Sequence, residues 1–316
     1  MRNRRVSVVG GSGFIGRYVV KRLAERGAVI TVVSRHATEA RFLKPMGDVG
    51  QIALIDAGLD DEARLTAAFT DSSAVVSCVG ILYERGRQRF QLLHVDGPAR
   101  VARIAAAAGV KHFVHISALS ADPQSASAYA RTKAMGEAAV KAALTTATIL
   151  RPSLVFGPED DFFNRFAGMA RLSWVLPLVG GGTTRFQPVY VGDVADAVMA
   201  VLERLDAQGK TYELGGPAVL SFRELMELLL AEISRRRALV TLPFGLARVA
   251  ALFMEFLPKP PLTRDQVNLL QKDAVVTPGA PGLAELGITP TALELVLPAY
   301  LNRFRRGGRA TLRLAM

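Results

Sequence analysis

Tyr129 and Lys133 lie four residues apart in Tyr129-Ala130-Arg131-Thr132-Lys133. On a helix that spacing sets a phenol and an ammonium on one face, where the cation lowers the phenol's pKa and the pair can exchange a proton with a carbonyl or an alcohol. Ser117, at the end of the strand-like run Lys111-His112-Phe113-Val114-His115-Ile116, is the hydroxyl expected to assist them, with Ser120 farther on. The same pair serves a second purpose. Lys133 can hydrogen-bond both hydroxyls of a ribose and Tyr129 can do so beside it, so a nucleotide that is held and never turned over would require both. The set Tyr129, Lys133 and Ser117 is therefore either working or idle.

A second constellation sits at the start of the chain. The β-branched run Arg5-Val6-Ser7-Val8-Val9 enters a turn with glycine at every third position, Gly10, Gly13 and Gly16, and then a helix-periodic segment. A strand, a glycine turn and a helix N-terminus bring backbone amides against a pyrophosphate. A β-carbon at Gly10 or Gly13 would strain the turn or hold phosphate oxygens off, and one at Gly16 would push the helix off the strand. Gly10, Gly13, Phe14, Ile15, Gly16 and Arg17 form the expected phosphate-contacting set. The spacing is G-x-x-G-x-x-G and departs from the commoner G-x-G-x-x-G.

The second strand ends at Ser34-Arg35-His36, where an NAD site would carry a carboxylate for the ribose hydroxyls. Arg35 stands there, with Arg17 or Lys44 as further cations for a ribose 2′-phosphate, which favours NADP(H) over NAD(H). The plainer alternative is that Arg35 is a solvated loop cation. Asp56, after the third strand, is placed to meet the adenine edge, and Gly80 lets the loop after the fourth strand approach the cofactor.

These residues need a scaffold, and the chain supplies one. Strand-like and helix-like segments alternate through about the first 150 residues, the rhythm of an α/β doubly wound parallel sheet. From Arg151 the glycines and prolines grow denser, which predicts a dinucleotide-binding domain over 1–150 and a smaller C-terminal lobe over 151–316, some segments of which return to the first domain. At 316 residues the chain is long enough for both. Asp193 is expected to cap a helix over Val194 to Leu202.

Composition removes several classes of function. Half of the residues are apolar, yet no uninterrupted run reaches the roughly 18 needed for a transmembrane helix. The first strand starts too early to leave room for a signal peptide. Cys78, the single cysteine, suits a reducing compartment and reads as small filler in the strand Ala74 to Gly80. His36, His94, His112 and His115 show no ligand spacing, so no metal site is expected. The net charge of +11 comes without a recognised nucleic-acid module. Its arginines gather at Arg235-Arg236-Arg237 and at Arg303, Arg305, Arg306, Arg309 and Arg313, a distribution that suits an anionic membrane surface or an acidic protein face. Leu242 to Pro258 is strongly apolar but broken by Arg248 and Glu255, too short to span a bilayer. It is either a surface for a partner or membrane, or a core helix.

The glycine pattern, the Y-x-x-x-K pair and Arg151-Pro152-Ser153-Leu154-Val155-Phe156-Gly157-Pro158 together resemble the extended and atypical short-chain dehydrogenase/reductase superfamily, NAD-dependent epimerase/dehydratase-like, with its Rossmann fold. In that resemblance Pro152 is the proline beside the nicotinamide. A narrower resemblance rests on Leu43-Lys44-Pro45-Met46-Gly47-Asp48-Val49-Gly50-Gln51, Phe162-Phe163-Asn164-Arg165-Phe166-Ala167, Gln187 to Val194 and Ile288 to Leu295. Nearly the whole chain is similar to the NADPH-binding accessory subunits of respiratory complex I, in their alphaproteobacterial or mitochondrial form. This implies a structural, non-catalytic NADPH, other complex I subunits as partners, and a place at the junction of peripheral and membrane arms, peripheral on the cytoplasmic face of a bacterial inner membrane. The alternative is a free NADP-dependent reductase or epimerase linked to quinone metabolism. Leucine at 119, where related epimerases carry serine or threonine, weakens the case for hydride chemistry.

Overall fold

The computed structural model describes residues 1–306. In chain order the strands are β1 Arg5–Val9, β2 Val29–Ser34, β3 Ile52–Asp56, β4 Ala74–Ser77, β5 His112–Ile116, β6 Thr148–Pro152, β7 Val155–Phe156, β8 Val175–Val179, β9 Arg185–Phe186, β10 Val189–Tyr190, β11 Thr211–Leu214, β12 Leu220–Ser221 and β13 Ala238–Leu242. The helices are α1 Phe14–Glu25, α2 Glu62–Phe69, α3 Gly97–Ala107, α4 Ala128–Ala143, α5 Phe162–Leu172, α6 Val191–Glu203, α7 Phe222–Glu232, α8 Phe244–Met254, α9 Arg264–Leu269 and α10 Leu293–Leu301.

Seven strands pair in parallel in the order β11-β6-β5-β4-β1-β2-β3. The fold is thus α/β and doubly wound. Strand order reverses between β1 and β4, and the crevice outside their carboxyl ends is where such sheets bind ligands. Residues buried on both faces of β1, Val6 and Val8 on one and Ser7 and Val9 on the other, are what a strand covered by helices on either side requires. On one face Val9, Val33, Val75, Phe113 and Ile149 meet Leu65, Phe69, Val101 and Val140 of α2, α3 and α4. α1 and α6 pack together, fastened by Arg22, which donates to both carboxylate oxygens of Asp196 at 2.8 and 3.1 Å.

The chain divides into two units. The first comprises Met1–Pro152, Val191–Leu214 and Thr277–Thr289; the second comprises Ser153–Tyr190, Gly215–Val276 and the chain from Pro290. The return of Val191–Leu214 brings α6 and the edge strand β11 to the first unit. The second unit has its own core, in which Phe156, Phe163, Leu176 and Leu178 meet Phe222, Leu225, Leu297 and Tyr300. Buried Asp160 organises one corner of it, accepting from the Phe163 amide at 2.7 Å and from Tyr300 Oη at 2.5 Å.

Two expectations need correction. Asp193 is not a cap: α6 begins at Val191, which puts Asp193 inside the first turn, and it is buried there. Cys78 is not strand filler, because β4 ends at Ser77 and Cys78 is half-buried just beyond it. Of the two alternatives for Leu242 to Pro258, the exposed one holds: in α8 only Ala247 and Ala251 are buried, while Leu246, Val249, Leu252 and Phe253, with Phe256 and Leu257 beyond its end, are exposed. No helix among the described residues is long and apolar enough to cross a membrane. Arg309 and Arg313 lie outside the described residues.

Candidate functional site

The glycine turn opens at the β1/β4 crevice. Gly10 adopts φ +78°, the left-handed region that favours glycine, and a Cβ there would lie 2.9 Å from Val79 Cγ2 and 3.3 Å from the Cys78 backbone. The turn is therefore folded against the loop leaving β4. At Gly16 a Cβ would approach Gly10 O to 2.3 Å, so this glycine lets the helix start directly beneath the turn. The obstruction it avoids is the turn's own backbone rather than the strand. α1 starts after Gly13 with no side chain capping it and no acidic residue in its first turn. Its leading amides and positive dipole end are the chemistry a pyrophosphate needs. Phe14, Ile15 and Arg17 follow directly.

Cations gather near the end of β2. Arg17 stacks over the Phe42 ring, 4.8 Å from its centroid, and donates to Gly13 O at 3.3 Å. Arg35 and Lys44 are exposed, and Ser34 Oγ shares a 3.0 Å hydrogen bond with Ser12 Oγ, tying the second strand to the glycine turn. Asp56 closes β3 with an exposed carboxylate, while its carbonyl accepts from Arg64.

Tyr129 and Lys133 stand in the first two turns of α4, whose N-cap Ser127 accepts from the Ala130 amide. Lys133 is buried and Nζ donates to Ile116 O at 3.0 Å, at the end of β5. Burial lowers its pKa to about 8, against the opposing pull of Glu137 and Cys78. A Cβ at Gly80 would sit 3.5 Å from Lys133 Nζ, so the loop after β4 crosses directly over the ammonium. Ser117 is buried and its Oγ has no partner among the described residues, leaving a hydroxyl available at the end of β5. Pro152 ends β6, its carbonyl accepting from the Leu119 amide at 2.9 Å.

The electrostatics correct one expectation. The Tyr129 phenol is pushed up to about 12 by burial, where a lowered pKa was expected. It holds its proton. Burial likewise raises the Cys78 thiol to about 12, so it is no nucleophile at neutral pH.

His94 belongs to this cluster and was not among the expected site residues. It lies in a π-helical turn, Gln91–Asp96, stacked on Phe90 and edge-on to Tyr129. The Ile81 amide donates to Nε2 at 3.1 Å, so Nε2 is bare and the proton is on Nδ1, which donates to Thr132 Oγ1 at 3.1 Å. Thr132 Oγ1 in turn donates to Ala128 O at 2.8 Å. Burial, and then the charge of Lys133, lower the His94 pKa to about 3. Its ring is a neutral strut between the loop after β4 and helix α4. The sequence signal, a polar residue amid the buried apolar positions Phe90, Leu93 and Val95, was available but weak.

Residues 6–215 match the profile of the "NAD dependent epimerase/dehydratase family". Over 314 residues the chain is 36% identical to "NADH dehydrogenase [ubiquinone] 1 alpha subcomplex subunit 9, mitochondrial" of Arabidopsis thaliana, covering 96% of this chain and 78% of that one. The protein of the same description from Mus musculus is 34% identical, covering 95% and 80%. Among solved structures, gox2253 superposes with TM-score 0.75 at 22% identity, covering 97% of this chain and 99% of that one, which shows the shared fold.

Proposed function

This chain belongs to the NAD dependent epimerase/dehydratase family and, within it, to the group of the complex I alpha subcomplex subunit 9 proteins; from that membership we propose that it is an accessory subunit of respiratory complex I that holds NADP(H) as a structural ligand. The observation that carries the reading is the identity with subunit 9 proteins along 95–96% of the chain, well beyond the segment that the generic family profile matches.

The residues suit the dinucleotide. The α1 amides and Gly13 would take the pyrophosphate, Arg35 with Arg17 and Lys44 the 2′-phosphate, and Asp56 the adenine side. Lys133 would bind the ribose hydroxyls, with Tyr129 and Pro152 near the nicotinamide and Gly80 leaving room above Lys133. When bound, the nicotinamide supplies hydride chemistry. A leucine at 119 in place of a hydroxyl favours a nucleotide that is retained over one that is turned over. The exposed apolar residues of α8 are the contact we assign to other complex I subunits, with the chain peripheral on the cytoplasmic face of a bacterial inner membrane.

The test is purification of the tagged full chain from native membranes in mild detergent. Co-migration with NADH:quinone oxidoreductase activity, and NADPH released on denaturation, are expected, and Tyr129→Phe should alter neither. A chain that migrates alone, with an NADP-dependent turnover that Tyr129→Phe abolishes, would establish the reductase or epimerase alternative instead.

A further inference from the structure

The second unit gathers like charges beside the chain's single tryptophan. Trp174 is 75% exposed and Leu172 is 91% exposed, two large apolar side chains at the end of α5 and the entry to β8. Because β8 and β13 are parallel, with Val175 opposite Ala238, Trp174 and Arg237 enter the ribbon side by side, and the Ala238 amide donates to Trp174 O at 3.0 Å. The Arg237 guanidinium lies over the indole, 4.9 Å from its centroid, while its Nε donates to Ala170 O at 2.8 Å. Arg235 Nε donates to Phe304 O at 3.0 Å. Partial burial lowers the Arg235 pKa, and the charges of Arg237, Arg306 and Arg171 lower it further, so four guanidiniums share one neighbourhood. Among the described residues the acid engaged nearby is Glu232, and it pairs with Arg305 at 2.6 Å.

Clustered guanidiniums oppose one another unless an anion joins them, and their fork geometry matches phosphate oxygens. A solvated basic face would account for the arginines but not for a bare indole and a bare leucine among them. Tryptophan beside arginine at an apolar edge is the composition of a surface that meets lipid headgroups. A nucleic acid could stack on Trp174, but it offers Leu172 no hydrocarbon. Residues 307–316 add Arg309 and Arg313 and no acidic side chain.

We propose that Arg171, Arg235, Arg237 and Arg306, with Trp174 and Leu172, form a docking patch for a bilayer carrying anionic phospholipids, the guanidiniums taking headgroup phosphates while Trp174 and Leu172 enter the interface. The patch goes beyond the nucleotide and assembly reading and stands or falls without it.

The single tryptophan makes the test direct. The purified full chain is titrated with phosphatidylcholine vesicles, with and without cardiolipin, while Trp174 emission is followed. A blue shift, and quenching by brominated acyl chains, are expected with cardiolipin vesicles only. Arg235→Gln with Arg237→Gln should weaken partitioning about thirty-fold, the equivalent of about 1 kcal/mol for each basic contact. Leu172→Asp, at a position too exposed to disturb folding, should abolish the shift. Unchanged emission with cardiolipin vesicles, equal partitioning to neutral ones, or the same response to inorganic phosphate or a single-stranded oligonucleotide would overturn the proposal. Nucleotide content and co-migration with the complex are separate readouts, so failure here is distinguishable from failure of the functional reading.

Discussion

His94 meets Tyr129 edge to face, with ring centroids 5.3 Å apart and interplanar angle 89°, and the Ile81 amide that donates to its Nε2 requires the ring neutral. Its folded pKa of about 3 lies below the ordinary 6.5, and buried His115 is lowered in the same direction by burial. The unfolded chain therefore binds protons at these sites below about pH 6.5 that the folded chain refuses, and stability is lost as pH falls. Each histidine contributes a slope of roughly 1.4 kcal/mol per pH unit. Urea melts at pH 7 and pH 5 should show the loss, and His94→Asn should shrink it; equal stability at both pH values would contradict the buried neutral imidazoles.

Lys133 carries the opposite trade. Its folded pKa of about 8, below the ordinary 10.5, means that the folded chain holds a charge at a cost below pH 8, a cost that fades between pH 8 and 10.5. Lys133→Met should therefore stabilise the nucleotide-free protein by up to roughly 3 kcal/mol at neutral pH, a gain that disappears toward pH 10.5. The same variant should lose NADPH affinity. Thermal melts with and without NADPH separate the two effects.

Two glycines of one turn should fail differently. A Cβ at Gly13 meets only Gly10 O, at 3.2 Å, and the position is exposed, so Gly13→Val should fold and lose nucleotide by standing over the helix end. Gly16→Ala forces a carbon to 2.3 Å from Gly10 O and 2.7 Å from Gly11 Cα. It should cost about 1–3 kcal/mol even without ligand. Melts in nucleotide-free buffer, with NADPH titration of whatever folds, distinguish the two.

Arg35→Asp replaces attraction for a 2′-phosphate with repulsion and is expected to weaken NADPH far more than NADH, by at least tenfold in their ratio. Parallel titrations read that ratio directly, and an equal loss for both nucleotides would assign Arg35 to solvent.

The exposed face of α8 provides an assembly test. Leu252 is 42% and Phe256 83% exposed, so Leu252→Asp with Phe256→Asp should leave the melting temperature and NADPH content of the isolated chain nearly unchanged. The pair should release the chain from the complex in native electrophoresis, because buried apolar side chains contribute about 1.5–3 kcal/mol each. Retention of the folded variant in the complex would place the contact elsewhere.

What the sequence disclosed was local. β1, the glycine turn and α1 are contiguous, and Tyr129 and Lys133 share one helix, so periodicity and spacing suffice to read them. His94 resisted because its partners, Ile81 and Thr132, are 13 and 38 residues away, and only the folded chain joins them. The pKa of Tyr129 resisted for a related reason: spacing brought a cation near, but the amount of water removed from the phenol is a property of the packed state. The exposure of α8 could not be decided from hydropathy, since apolar residues on a helix look alike whether covered or bare.

The weaving of the backbone between the units, after Pro152, Tyr190, Leu214, Val276 and Thr289, sets how this protein can be inherited or engineered. A gene fragment ending at residue 152 would encode six strands of the sheet but not β11, leaving the full edge of β6, Ile149 to Pro152, as an open template for aggregation. It would also strip α1 of α6 and leave Arg22 without Asp196. Recombination within 153–290 therefore does not exchange one lobe for another; it swaps pieces of both, and only a parent similar enough to supply a matching β11 and α6 would yield a folded hybrid.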